Sequence, residues 1–313
     1  MTPRLELCGW QIESSLPLPE LFLAKGPLRP KPDFVICLGG IPSTLPDLIY
    51  KGTLLQLSRD GSCRLTIPDV ATYMIDAQGS QITIASDLPP ESPAIRAFLF
   101  GTIFALLCQR RQVVPLHAAC IRFPRPDGDV AIAITARSGT GKSTLASAFA
   151  KRGFQLLADD LTALSHSSDG VWALPTVPRL KLWRDTMDAF KFPPDSFERV
   201  RIEMQKYLVP LTESFARSPC RLTAVYHYSR VEDERHAILQ PVKGLEAIAN
   251  FSQSLYQNAI LARATQNPSG YLGQVTRMAG AIPSHWKLTH ASGLERLDKL
   301  IDRIAHQQEK IEA

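Results

Sequence analysis

The sequence has no apolar run long enough to cross a membrane and no cysteine spacing typical of a metal site. Its longest apolar stretch, residues 97–108, is about half of what a membrane-spanning helix requires, which predicts a buried helix. The six cysteines form no close pair, which favours the reduced thiols of a cytosolic protein. The first residues also lack the basic-then-apolar pattern of a signal peptide. These absences predict a cytoplasmic protein with no membrane partner.

The sequence also lacks any concentrated block of basic residues. A net charge of +5 is scattered over 313 residues, and this is too diffuse to predict a nucleic-acid partner. The excess suits ligands that carry phosphate groups. The hydrophobic fraction of 45% and the charged fraction of 21% are those of an ordinary globular protein. The chain is long enough for two domains.

Residues 1–90 contain short apolar segments separated by turn residues, which predicts a small β-rich accessory domain. The candidate strands are residues 5–12, 34–38, 53–57, 63–67, 72–75 and 81–84. Asp60-Gly61 is a good hairpin-turn pair between two of them. A proline-rich boundary at residues 89–93 precedes an apolar helix predicted over residues 94–110. The second predicted domain therefore covers residues 91–313.

The strongest motif of the chain is a glycine loop with a lysine at its end. It reads Ser138-Gly139-Thr140-Gly141-Lys142-Ser143-Thr144. A β-branched run precedes it and an alanine-rich segment follows it, which predicts strand, loop and helix. The N–H groups of such a loop bind a polyphosphate. Lys142 is expected to reach the β- and γ-phosphates, and the Ser143 hydroxyl to bind magnesium. We therefore expect ATP and Mg²⁺ as cofactors.

Two adjacent aspartates, Asp159 and Asp160, follow the next predicted strand at residues 154–158. The carboxyl end of a strand is where open α/β sheets bind ligands. Since adjacent carboxylates repel, a cation is expected beside at least one of them. Magnesium beside Ser143 serves one carboxylate, and the other is free to accept a proton from an attacking hydroxyl. His117 lies in a predicted extended segment, residues 113–121, where a core role and a functional role both stay open.

The remainder of the chain predicts further secondary structure and one basic stretch. A hairpin is predicted over residues 161–174, loop-rich chain over 191–219, a strand over 222–228, and helices over 243–265 and 294–304. Arg179, Lys181 and Arg184 lie in an extended segment after the hairpin. They are equally consistent with contacts to a phosphate or acidic substrate and with a solvated face.

Residues 117–164 resemble the catalytic domain of HPr kinase/phosphorylase. The resemblance is carried by His117, the glycine loop, a helix that ends Lys151-Arg152-Gly153, and Leu157-Ala158-Asp159-Asp160. It implies an α/β fold, with a P-loop kinase domain of the HPr kinase/PEP carboxykinase-like type preceded by the β-rich domain. It also implies Asp159 as the proton acceptor and Asp160, with Ser143, as the magnesium ligand. His117 and Lys142 complete the implied catalytic set.

The family's Glu-Ile-Arg-Gly-Leu-Gly signature is absent, and residues 175–183 stand in its place. The carboxylate that this signature supplies to the metal is therefore missing, and the sequence leaves open whether the reverse, phosphorylase reaction occurs. The pattern Pro-x-x-Pro-x-Leu-x-Leu-Trp in that segment is similar to the HPr-kinase-like enzymes of peptide-maturation clusters, some of which phosphorylate a C-terminal serine of a lasso peptide.

The implied reaction is transfer of the ATP γ-phosphoryl group to a serine-type hydroxyl on a peptide or small protein. Two alternatives stay open: a non-catalytic ATP-binding regulator or assembly protein, and a kinase of a small metabolite. The sequence also leaves open whether the chain forms a homo-oligomer.

Overall fold

The computed structural model describes residues 3–126, 128–201, 203–265, 267–291 and 293–310. Within these residues the protein is a mixed α/β structure with two nine-stranded sheets and a separate two-stranded sheet. No helix in these ranges has both the length and the apolarity needed to cross a bilayer.

The first sheet is built from the N-terminal part of the chain. Its strands are β1 (Leu5–Leu7), β2 (Trp10–Ser14), β3 (Phe22–Leu23), β4 (Phe34–Leu38), β5 (Leu48–Lys51), β6 (Leu55–Ser58), β7 (Cys63–Ile67), β8 (Ala71–Ile75) and β9 (Gln81–Ala85). Their order is β3-β1-β2-β4-β9-β8-β7-β6-β5. β4 is parallel to β2 and β9, and the remaining pairs are antiparallel. The predicted β-rich character is confirmed, and the domain boundary near residue 90 stays a prediction.

The prediction of one strand over residues 5–12 is wrong, because the chain reverses there. Cys8 and Gly9 both have positive φ, 56° and 75°, as in the two-residue turns that match the twist of a hairpin. Leu7 therefore pairs with Trp10 across the turn. The short strands β3 and β5 at the two edges of the sheet carried too little pattern to be predicted.

The helix predicted over residues 94–110 is confirmed, with one irregularity. It consists of α1 (Pro93–Phe98), a π-helical stretch (Leu99–Ile103) and α2 (Phe104–Arg110). Its buried side chains belong to the same apolar core as the first sheet, where Phe104 and Phe34 both lie. The helix therefore covers the N-terminal sheet.

The second sheet brings together the strands that surround the glycine loop. They are β10 (Val114–Leu116), β11 (Ala118–Phe123), β12 (Val130–Ala136), β13 (Gln155–Ala158), β14 (Thr162–Ser167), β15 (Gly170–Leu174), β18 (Cys220–Val231), β19 (Leu239–Val242) and β20 (Ser284–Ala291). The two-stranded sheet pairs β16 (Arg179–Trp183) with β17 (Lys206–Pro210). β12, β18 and β20 run parallel, so their carboxyl ends lie at one edge. β11 is antiparallel to β12, which places its first residue at that same edge.

Six α-helices follow α2 in the described part of the chain. They are α3 (Lys142–Lys151), α4 (Arg184–Ala189), α5 (Gly244–Gln253), α6 (Asn258–Ala264), α7 (Pro268–Ala281) and α8 (Leu297–Lys310). All of them except α6, whose Leu261 lies in the core of the first sheet, add side chains to the cores of the second sheet. Alternate residues of β12 enter different cores, as strand geometry requires. Ile132 and Ile134 join the core that contains side chains of α3 and α8. Ala131 and Ala133 join the core that contains side chains of α5 and α7.

Three predictions for the C-terminal half are wrong in detail. The single helix over residues 243–265 is two helices, because Leu255 leaves the helix to bridge to Leu116 and Gln257 adopts a φ of 47°. β17 lies inside the segment predicted as loop, where pairing with β16 provides its hydrogen bonds. The final helix begins at Leu297 and runs to Lys310, past the predicted end at residue 304.

Candidate active site

The glycine loop, residues 137–141, connects the end of β12 to the start of α3. Gly139 and Gly141 have left-handed φ angles of 82° and 98°, a region that side chains disfavour. A Cβ on Gly141 would also clash with the Arg230 guanidinium. A side chain at position 141 is therefore opposed by the backbone φ and, unless the flexible guanidinium moves, by Arg230 as well. The predicted order of strand, loop and helix is confirmed.

The first turn of α3 contacts the acidic doublet directly. Lys142 is buried, and its Nζ lies 3.3 Å from Asp159 Oδ1. The Ser143 hydroxyl donates a 2.9 Å hydrogen bond to the same carboxylate oxygen. Thr144 Oγ1 lies 2.9 Å from Thr186 Oγ1, which connects α3 to α4. The loop lysine, the loop serine and the doublet thus meet at one place.

The Asp159 side chain has no exposed surface, so its charge depends on protein donors. Its Oδ2 accepts a 3.0 Å hydrogen bond from the backbone N–H of Lys181 on β16, while Oδ1 receives Lys142 and Ser143. Asp159 therefore presents a carboxylate oxygen directly beside the Ser143 hydroxyl, in the first turn after the glycine loop.

Asp160 has a different set of partners. Its φ of 76° is a conformation that aspartate tolerates better than most residues. Lys181 Nζ lies 2.6 Å from Asp160 Oδ2, and His117 Nε2 lies 3.4 Å from Oδ1. The Tyr256 hydroxyl donates to Oδ2 at 3.4 Å. Each of the two adjacent carboxylates therefore has a lysine ammonium beside it, Lys142 at Asp159 and Lys181 at Asp160, which relieves their repulsion.

The environment of Asp160 shifts its acidity in a definite direction. Burial alone would raise the pKa of the Asp160 carboxyl, but the Lys181 ammonium, the hydrogen bond from His117 and the charge of Lys142 hold this pKa well below its usual range. Asp160 is therefore ionised at neutral pH. Burial and the neighbouring Asp160 charge raise the pKa of Tyr256, so Tyr256 keeps its proton as a hydrogen-bond donor.

His117 lies between β10 and β11, where the strand direction breaks. Its backbone N–H donates to the Ser254 carbonyl at 2.7 Å, which anchors the break to the segment between α5 and α6. Its ring packs edge-on against Tyr256, with ring centroids 5.8 Å apart. The side chain is about 29% exposed, so it faces an opening rather than the core.

A cavity of about 310 Å³ lies over the loop and Asp160. The cationic side chains that line it are Arg137, Lys142, Lys181, Lys206 and Arg230. Burial lowers the pKa of Lys206, although Asp160 opposes that shift. Asp160 and Asp185 are the carboxylates of the lining. This excess of positive charge, together with the loop's N–H groups, suits a polyphosphate.

The donor set fits magnesium better than it fits a transition metal. Magnesium prefers oxygen ligands and keeps several of its own waters, so one or two protein oxygens are sufficient. The Ser143 hydroxyl and the Asp159 carboxylate provide such a pair. Among the described residues, no group of three or more His, Cys, Asp or Glu side chains could hold a metal ion.

The sequence predicts the loop and the doublet, but it does not show which basic and aromatic side chains from later in the chain lie beside them. Of the three basic residues after the hairpin, only Lys181 contacts the doublet. Arg179 is buried against Glu20, and Arg184 pairs with Asp188. Tyr256 and Arg230 carried no local signal, because each reaches the site from a segment more than 80 residues downstream of the loop.

No protein-family model matches this chain, and no curated protein does. Among solved structures, the HPr(Ser) kinase/phosphatase from Coxiella burnetii is similar over 63% of this chain and 91% of its own. The sequence identity is 12% and the TM-score is 0.33. At this TM-score the likeness carries no conclusion about activity, which rests on the residues of the site itself.

Proposed function

We propose that this chain is an HPr-kinase-like phosphotransferase. In this proposal the γ-phosphoryl group of ATP passes to a serine-type hydroxyl on a peptide or small protein. The observation that supports it most is the contact of Ser143 and Lys142 with Asp159, with Asp160 as the next residue. A polyphosphate loop and carboxylates suited to metal binding and proton transfer lie together, as phosphoryl transfer requires.

The family resemblance implies that Asp159 accepts the proton and that Asp160 binds magnesium. The geometry favours the opposite roles for these two aspartates. Asp159 lies beside the Ser143 hydroxyl, so we assign these two residues to magnesium. Bound there, the ion would neutralise charge on the β- and γ-phosphates. Asp160 lies beside His117 and lines the cavity over the loop, so we assign Asp160 to accepting the proton.

The reaction needs no reactant other than ATP and the acceptor hydroxyl. The acceptor oxygen forms a bond to the γ-phosphorus, and the bond from that phosphorus to the β–γ bridging oxygen breaks. The hydroxyl proton passes to the Asp160 carboxylate, and ADP leaves. His117 orients Asp160 through the Nε2 contact at 3.4 Å. Lys142 and the loop N–H groups hold the phosphates, so catalysis consists mostly of positioning and charge neutralisation.

Lys181 connects this base to the phosphate cavity. Its ammonium lies 2.6 Å from Asp160 Oδ2 and also lines the cavity. A bound triphosphate would therefore compete with Asp160 for the Lys181 ammonium.

The test is to compare Asp159→Asn with Asp160→Asn. We expect Asp160→Asn to retain Mg-ATP binding and to lower phosphoryl transfer by about 10²–10⁴-fold, the usual contribution of a general base. We expect Asp159→Asn to lose the affinity that magnesium adds to ATP binding. Calorimetric ATP titration with and without Mg²⁺, together with transfer of labelled γ-phosphate to serine-bearing peptides, measures both quantities.

Asp169→Asn is the matched control, because Asp169 lies in the exposed turn between β14 and β15. The reverse pattern of effects would restore the assignment implied by the family resemblance. Tight Mg-ATP binding without transfer to any serine-bearing acceptor would instead favour a nucleotide-dependent regulator.

A further inference from the structure

A second cleft, of about 410 Å³, adjoins the phosphate cavity. His117 and Arg137 line both spaces. Because His117 contacts Asp160, a molecule in the second cleft has access to the proton-accepting end of the site. Thr135 and Ala136 at the end of β12 and Thr140 of the loop also line this cleft. The second cleft is therefore placed to hold the molecule that receives the phosphoryl group.

One wall of this cleft is a polar face of α5. Glu246, Asn250 and Gln253 all line the cleft, and their spacing of four and three residues places them on one side of the helix. Asn250 and Gln253 each have an amide that both donates and accepts hydrogen bonds. An extended peptide backbone requires this combination, because its N–H and C=O groups alternate along the chain.

Residues of β18 and β20 also line the cleft. Ser229 and Lys287 line it, together with His227. Burial and the neighbouring His285 lower the pKa of His227 to about 4, so His227 is neutral at pH 7. The charged groups of the cleft are then Arg137 and Lys287 against Glu246. This balance favours an acceptor that carries a carboxylate.

We propose that the second cleft binds an extended acceptor peptide along α5, with its serine at His117 and an acidic group at Lys287. The inference rests on the phosphotransferase function and adds the class of acceptor to it. The Ser hydroxyl oxygen of the peptide forms a bond to the γ-phosphorus of ATP, and the bond from that phosphorus to the β–γ bridging oxygen breaks. The hydroxyl proton passes to Asp160, and ADP leaves. Asn250 and Gln253 form hydrogen bonds with the peptide backbone. Lys287 favours an acidic residue near the serine, because its ammonium pairs with the carboxylate.

The test uses short peptides with a single serine, blocked at both ends, that carry Asp, Ala or Lys two residues from that serine. We expect the wild-type protein to phosphorylate the Asp peptides at least about tenfold more efficiently than the Lys peptides, the scale of one favourable charge contact. Lys287→Glu should reverse this order. The same peptides with a free C-terminus show whether a terminal carboxylate replaces the acidic side chain.

Lys243→Glu is the matched control, because Lys243 is an exposed lysine immediately before α5 that does not line the cleft. It should leave the peptide preference unchanged. Asn250→Leu and Gln253→Leu should raise the peptide KM and leave the ATP KM unaltered. That split is not expected of a variant that merely misfolds.

The inference is overturned if Lys287→Glu keeps the wild-type preference, or if both amide variants leave the peptide KM unchanged. It is also overturned if the wild-type protein binds Mg-ATP but phosphorylates none of the peptides, a result that leaves nucleotide binding intact. Failure to bind Mg-ATP at all would instead refute the phosphotransferase function itself.

Discussion

Glu20 Oε1 accepts a 2.6 Å hydrogen bond from Arg179 Nη1 across 159 residues of sequence. The same carboxylate oxygen lies 2.8 Å from Nε of Arg96 on α1. The side chains of Arg96 and Arg179 are 1% and 3% exposed. Arg179 precedes Lys181 by two residues on β16, and Lys181 contacts both aspartates of the doublet. The N-terminal region is therefore tied to the strand that completes the candidate site.

Glu20→Gln should destabilise the protein, because it removes the carboxylate that buried Arg179 contacts and one of the two carboxylates, Glu20 and Glu198, that buried Arg96 contacts. We expect a loss of about 3–5 kcal/mol in the free energy of unfolding, the usual cost of breaking a buried ion pair. Mg-ATP binding should weaken as well, since β16 loses an anchor. Urea unfolding and ATP titration measure these two effects.

Glu13→Gln is the control for this prediction. Glu13 also pairs with an arginine, Arg4, but it is about one-third exposed, so its loss should cost about 0–1 kcal/mol. Equal losses in the free energy of unfolding for the two variants would show that the contacts of Glu20 with Arg96 and Arg179 stabilise the protein no more than the exposed pair does.

Lys142→Ala should abolish measurable ATP binding and phosphoryl transfer. The substitution removes the loop ammonium and also leaves Asp159 with one donor fewer in a buried setting. Lys151→Ala, at the other end of α3, removes an exposed lysine from the same helix and should preserve binding. Isothermal titration with ATP is the measurement, and retained affinity in Lys142→Ala would refute the role of the loop lysine.

Stability should depend on the ionisation of Asp160 at acid pH. Its folded-state pKa is depressed, whereas that of an unfolded aspartate is about 3.9. The stabilisation is therefore fully present above the unfolded pKa and is lost as the pH falls towards the folded pKa. Asp160→Asn removes the titrating group, and asparagine tolerates the positive φ at this position.

The measurement for this prediction is the urea midpoint of both proteins between pH 7 and pH 2. We expect the difference between wild type and Asp160→Asn to be constant above about pH 5 and to shrink below about pH 4. Parallel curves down to pH 2 would contradict the depressed pKa.

Arg230→Gln should weaken ATP binding by about tenfold or more, because a guanidinium beside the loop can hold phosphate oxygens bidentately. Arg221→Gln is the matched control, since Arg221 is an exposed arginine at the other end of β18. Arg230→Lys should recover only part of the affinity. Equal ATP affinities for the Gln variants at positions 230 and 221 would remove Arg230 from the phosphate site.

Gly141→Ala tests the two reasons for glycine in the loop separately. In the wild-type background the added Cβ meets both an unfavourable φ and the Arg230 guanidinium. In an Arg230→Ala background only the φ of 98° opposes it, at a cost of about 1–2 kcal/mol. We therefore expect the loss of stability caused by Gly141→Ala to be smaller in the second background, as measured by thermal unfolding. An equal loss of stability in the two backgrounds would show that the Arg230 guanidinium moves aside from the added Cβ without cost.

Several predictions from sequence were accurate because the relevant signals are local. The run before the glycine loop forms β12, and the hairpin predicted over residues 161–174 forms as β14 and β15, with Ser168 and Asp169 at its turn. The wrong predictions concern segments whose secondary structure depends on tertiary contacts. The break between α5 and α6 depends on Leu255 pairing with Leu116, and β17 exists because β16 lies beside it. Neither partner can be recognised from the segment's own residues.

The sequence by itself determined the glycine loop, the acidic doublet that follows it, and their placement at strand ends, because each depends on hydrogen bonding and periodicity within a few residues. Only the tertiary structure decided which aspartate faces Ser143 and which faces His117. It also decided that Lys181 and Tyr256, 21 and 96 residues beyond Asp160, complete the site. The physical reason is that a buried charge is stabilised by whatever donors the fold brings within about 3 Å of it, and a one-dimensional pattern does not encode that distance.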